Sequence, residues 1–187
     1  WFLKIFRRML LELSPHCRSK LMTDVLFGQF WAGSVRRAEV REKEGVRAPF
    51  TMIISPSMRC NLRCEGCYAG NYVKKDDLPI EVIDRVINEG KDLGIHLVTM
   101  LGGEPFIYDE LWDLWEKHDD IIFQVYTNGT LMDKSVARRL ERLGNIAVMV
   151  SIEGFEDLTD VRRGAGVYRK IIQTMDNLKE AGVLHGF

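Results

Sequence analysis

Strand-like runs and helical periods take turns along most of this chain. Apolar runs suited to strands occupy 51–55, 97–101, 121–127 and 146–152, and a fifth opens at 183–187. Between them apolar residues recur at helical spacing: Ile83, Val86 and Ile87 after Pro79, then Leu111, Leu114 and Trp115. Val136, Ala137, Leu140 and Leu143 follow Asp133, a capping residue, and stop at Gly144; Ile171, Ile172, Met175 and Leu178 stop at Gly182. This rhythm predicts an α/β domain built on a parallel sheet with right-handed crossovers. In such a sheet every strand opens its C-terminal end on one edge, where ligands bind. An unusual sequence follows each of the first four strands: a cysteine loop, Gly102-Gly103-Glu104-Pro105, Thr127-Asn128-Gly129 and Ser151-Ile152-Glu153-Gly154. They are expected to meet at one mouth.

The cysteine loop holds Cys60, Cys64 and Cys67, three of the four cysteines, spaced C-x3-C-x2-C. Thiolates so close in sequence converge on one centre without help from distant chain, and they favour iron–sulfur clusters, zinc or Cu(I). The spacing matches no zinc pattern, and no fourth ligand follows at a suitable distance. A cluster held by three cysteines keeps one iron open, which implies chemistry rather than scaffolding. Cys17, far upstream, reads as an ordinary thiol. Gly102 and Gly103 let backbone approach a ligand closely, Glu104 offers a carboxylate to an ammonium, and Pro105 stiffens the turn. Asn128-Gly129 is also a common turn dipeptide, and Tyr68 could be simple packing.

The triplet followed by an aromatic, with Gly-Gly-Glu-Pro downstream, resembles the radical S-adenosylmethionine (radical SAM) superfamily, from about residue 50 to 187. The resemblance implies a partial parallel (βα) barrel. It implies that Cys60, Cys64 and Cys67 bind a [4Fe–4S] cluster whose fourth iron is chelated by S-adenosylmethionine. An external one-electron reductant, such as flavodoxin or ferredoxin, would feed the cluster. Cleavage of the sulfonium would then give methionine and a 5′-deoxyadenosyl radical, which abstracts hydrogen from a substrate, a small molecule or a peptide. By the same resemblance Tyr68 lies near the adenine, and Gly102, Gly103 and Glu104 contact the methionine amino group. Asn128 joins them as a cofactor contact, Ser151 serves the carboxylate and Glu153 the ribose. Arg163, or its neighbour Arg162, clamps a carboxylate. The overall pattern looks most like members with a cysteine-rich C-terminal extension for auxiliary clusters. The competing class is a non-catalytic iron–sulfur electron-transfer module, which would have no use for Gly-Gly-Glu-Pro.

Residues 1–48 read as a helical N-terminal segment, and 49–187 as the radical SAM domain, truncated on its C-terminal side. The chain begins with Trp1 and stops inside an apolar run, so a longer protein is expected. Phe2, Ile5, Phe6, Met9 and Leu13 share one face of a basic amphipathic helix over 1–13, with packing on the enzyme's own body favoured over a membrane surface. A second helix is expected over 23–44, ending at Gly45. The 26 basic residues nearly balance the 27 acidic ones, which gives no case for nucleic acid. No signal peptide or spanning run is present in the sequence, and clustered cysteines suggest a reducing cytoplasm rather than a disulfide framework. His16, His96, His118 and His185 show no ligand spacing, and Trp112 and Trp115 suggest core or a domain contact.

Overall fold

The computed structural model describes residues 11–71 and 77–187, apart from the side chain of Asn71. Most of the expected helix over 1–13 therefore lies outside the described residues. Helix α1 (Pro15–Lys20) starts on Ser14, whose hydroxyl accepts the Cys17 amide at 3.1 Å, with Pro15 in the first turn. It runs directly into a π-helical stretch (Leu21–Ala32) and then α2 (Gly33–Glu44), which ends at Gly45 in the left-handed conformation. The helix expected over 23–44 thus begins earlier and is wound more widely in its middle.

Five parallel strands follow in sequence order: β1 (Met52–Ile54), β2 (Leu97–Met100), β3 (Ile122–Thr127), β4 (Ile146–Val150) and β5 (His185–Gly186). The strand after each helix pairs with the strand before it. Right-handed crossovers that always step the same way lay every helix on one face, which is barrel winding rather than double winding. Those helices are α3 (Ile80–Asp92), α4 (Leu111–Lys117), α5 (Lys134–Leu143), α6 (Glu156–Arg163) and α7 (Val167–Ala181). The α/β partial barrel expected from the sequence is the fold observed. Helix α6 was not anticipated. Its apolar residues Leu158 and Val161 face solvent, so no buried stripe announces it.

Strand register sorts the side chains into two layers. Val98, Met100, Phe123, Val125, Val148 and Val150 are buried under the helices, against Ile83, Ile87, Leu111, Trp115, Leu140 and Ile171. Each such side chain contributes about 1.5–3 kcal/mol by leaving water. On the opposite, concave layer, Ile53, Thr99 and Gln124 lie in register, with Tyr126 further along β3. That layer is more open: Ile53 is 67% exposed. Trp112 and Trp115 belong to the core, their rings 5.2 Å apart.

The N-terminal helix lies beneath the sheet, at the starting ends of the strands. Gln29 donates to the Phe50 carbonyl at 2.5 Å and accepts the His96 amide at 2.7 Å, while Arg37 donates to the carbonyls of Gly94 and Gln29. Cys17 is buried there too, its thiol donating to the Glu141 carbonyl, and burial pushes its pKa up. It is remote from the other cysteines, as its isolation in the sequence suggested.

Candidate metal centre

At the C-terminal strand ends the cysteine loop rests on the turn after β2. Gly103 donates its amide to the Ser57 carbonyl at 2.9 Å, and the Glu104 amide donates to the Arg59 carbonyl at 2.8 Å. A Cβ on Gly103 would stand 2.0 Å from the Arg59 oxygen, and Gly102 has φ of +125°. The two glycines therefore make room first for the chain's own backbone. Close approach to a ligand, the sequence reading, remains open only on their other side, where both line the mouth.

The strand ends hold the loop from two further directions. Asn128 donates through Nδ2 to Asn61 Oδ1 at 2.8 Å and reaches Cys60 Sγ at 3.7 Å; its own Oδ1 accepts from Thr130. Across the mouth, Arg162 at the end of α6 exchanges two bonds with Glu65, accepting the Glu65 amide at 2.8 Å and donating Nε to its carbonyl at 3.2 Å. Tyr68 donates its hydroxyl to the Gly102 carbonyl at 3.1 Å. Three elements thus fix one loop.

Within that frame a cavity of about 350 Å³ is lined by Cys60, Cys64 and Cys67. Tyr68, Gly102, Gly103, Asn128, Ser151 and Arg163 complete the part of its wall that the sequence anticipated. Tyr126, Thr127 and Arg162 line it as well. Tyr126 could have been found by alternation, since it falls on the same face of β3 as Gln124. The same three cysteines also line a second cavity of about 350 Å³, with Met58, Leu62 and Arg63.

Glu104 and Glu153 do not line this mouth. Glu104 is 1% exposed and turned inward: Oε1 accepts from Thr127 Oγ1 at 2.8 Å and the Phe106 amide at 3.2 Å, and Oε2 accepts the Asn128 amide at 2.7 Å. Burial pushes its carboxyl up against the pull of those donors. The expected offer to an ammonium is thus replaced by a joint between the ends of β2 and β3. Glu153 is held between Arg163 Nη2 at 2.6 Å and Arg162 Nη1 at 2.8 Å, which keep its carboxyl low. Arg163 Nε is buried with no hydrogen-bond partner among the described residues.

A profile of the Radical SAM superfamily matches residues 54–186. The chain belongs to the radical SAM superfamily. It is 29% identical over 133 residues to Fe-coproporphyrin III synthase of Methanosarcina barkeri (strain Fusaro / DSM 804), covering 68% of this chain and 33% of that protein. It is 28% identical over 147 residues to mycofactocin maturase MftC of Mycobacterium ulcerans (strain Agy99), covering 75% and 39%. Among solved structures it resembles Streptococcus suis SuiB bound to S-adenosylmethionine, with a TM-score of 0.68 and 25% identity over 81% of this chain and 36% of that one. The matched part of the chain therefore spans 33% to 39% of the length of these relatives.

The radical SAM cofactors fit the residues present. Three soft thiols line a shared cavity. Soft thiolates of this kind suit an iron–sulfur cluster. Arg162 and Arg163 line the mouth and bring positive charge to an anionic group there. Burial pushes the Cys64 thiol up, against the pull of Arg163 and Arg162.

Proposed function

We propose that the protein is a radical SAM enzyme that removes a hydrogen atom from a substrate C–H bond. The observation that carries this reading is the gathering of three cysteines, Gly102, Gly103, Ser151 and Arg163 on one cavity at the strand C-terminal ends. When bound, a [4Fe–4S] cluster and S-adenosylmethionine supply reductive cleavage to methionine and a 5′-deoxyadenosyl radical, the species that takes the hydrogen. The chain's own residues bind and orient. Cys60, Cys64 and Cys67 provide one thiolate fewer than the four irons of a cubane, leaving one position to the cofactor. Arg163 brings its positive charge to the cofactor carboxylate, beside Ser151. Glu153, which pairs with both guanidiniums, orients Arg162 and Arg163 at that position. Tyr68 and Asn128 hold the cysteine loop against the strand ends.

This reading calls for an external one-electron donor of the flavodoxin or ferredoxin kind, and a reducing cytoplasm is the compartment that suits it. A peptide is the substrate class with most support, since SuiB has also been solved with its precursor peptide SuiA, at 26% identity and a TM-score of 0.67. A small molecule is the alternative, since other relatives carry names such as GTP 3′,8-cyclase.

The test is anaerobic reconstitution with iron and sulfide, reduction with dithionite, and chromatography for 5′-deoxyadenosine. Wild type and Cys17→Ala should both bind iron and form the nucleoside; Cys64→Ala should do neither. Full iron loading without S-adenosylmethionine binding or 5′-deoxyadenosine would leave an electron-transfer module as the better reading.

A further inference from the structure

The N-terminal helix is built inside out. Its inner side meets the protein through Asp24, Gln29 and Arg37, together with Leu21 and Gly33. Its outer side presents Met22, Leu26, Phe27, Phe30, Trp31 and Val35 to solvent, with Phe27 71% and Trp31 69% exposed. These six recur in steps of four and five, the rhythm of i→i+5 hydrogen bonding, so the π-helical winding gathers them into one stripe. Isolated exposed apolar residues are ordinary, but a continuous stripe of this size marks an interaction surface.

Charge says what covers it. Residues 1–47 carry ten Lys and Arg against five Asp and Glu, a net of +5. The whole chain is −1, so residues 48–187 carry −1 − 5 = −6. A second copy meeting this face across a two-fold axis would bring two positive segments together. An anionic lipid surface would instead attract the segment while Phe27, Phe30 and Trp31 entered the headgroup boundary. The Leu21–Ala32 stretch itself carries no Lys or Arg, and the first eight residues, Trp1-Phe2-Leu3-Lys4-Ile5-Phe6-Arg7-Arg8, add three basic residues to three aromatic ones. The helix also lies beneath the sheet, on the side away from the cysteine mouth, so a membrane there leaves the mouth free.

We propose that the outer face of the Leu21–Ala32 helix, with the start of α2, docks the protein on anionic membranes as a peripheral protein. No described helix is long and apolar enough to cross one. The proposal does not depend on the reaction the site performs.

The test is co-sedimentation with phosphatidylcholine vesicles and with mixed phosphatidylcholine–phosphatidylglycerol vesicles. Binding to the mixed vesicles only, weakening with salt, is expected. The double variant Phe27→Ser/Trp31→Ser should lose at least about tenfold in partitioning while keeping iron content and melting temperature, because both side chains are exposed. Failure to sediment with anionic vesicles, or equal binding by the double variant, overturns the proposal. So does a concentration-dependent dimer in light scattering that the double variant abolishes while vesicles leave wild type in the supernatant.

Discussion

Beneath the mouth, every polar neighbour of Glu104 donates to it, from Thr127, Asn128 and Phe106. The motif Gly-Gly-Glu-Pro suggested a ligand contact, but a motif does not say which way its side chain turns. Exchange for glutamine tests the joint. A carboxamide places an NH2 at one of the two oxygens, facing either the Asn128 amide or the Phe106 amide, and neither backbone donor can reverse. One buried donor is left opposed, at a cost of about 1–3 kcal/mol. Glu104→Gln should therefore lower the urea midpoint of the metal-free protein by the equivalent amount, and an unchanged midpoint would show that the joint holds nothing. Arg162 was also underrated by the sequence, because its role depends on Glu65, far away in the chain and adjacent only once α6 has formed.

Among the elements, β1 to β4 were legible because each is an apolar run bounded by breakers, and their order follows from crossover handedness alone. Their expected ends are one or two residues too wide, since Thr51 extends the branched pattern ahead of the first ladder pair and Leu101 and Ile152 extend the apolar pattern past the last. The site was legible to the same depth. Cysteine spacing and strand-end position identify what gathers at the mouth, while Glu104 and Glu153 required side-chain directions that only packing decides. The π-helical stretch escaped for a physical reason: apolar residues in steps of four and five do not fall on a stripe when read at 3.6 residues per turn. Contact between elements gives its own prediction. Gly103→Ala would press a methyl against the Arg59 carbonyl and lift the cysteine loop from the turn after β2. Iron should be lost to a chelator several-fold faster than from wild type, with little change in far-ultraviolet circular dichroism. Equal release rates would mean that the loop is placed without this contact.

Across the whole molecule, one buried network joins α3, α4 and the start of β4, on the side away from the mouth. His118 is 1% exposed, with Nε2 2.8 Å from Asp84 Oδ1, and its carbonyl accepts Nδ2 of the fully buried Asn145 at 3.1 Å. With Nε2 donating to Asp84, a second proton would sit on Nδ1, which is buried with no partner among the described residues. Burial accordingly pushes the imidazole below its ordinary 6.5, outweighing the pull of Asp84. The folded protein keeps this ring neutral where the unfolded chain has already taken up a proton. Its contribution to stability is therefore complete above the unfolded value and is lost as pH falls from about 6.5 toward the lower folded value. Asp84, held low by Lys117 and then His118, acts in a separate window, losing its contribution only as pH falls below its ordinary 3.8. As pH falls through about 6.5 the metal-free protein should lose stability, with a slope from this one group of at most about 1.4 kcal/mol per pH unit. His118→Gln should be less stable above that pH and flatter through it, because the ring that titrates is gone. Urea melts of both proteins at each pH decide it: parallel slopes would move the acid sensitivity away from this network.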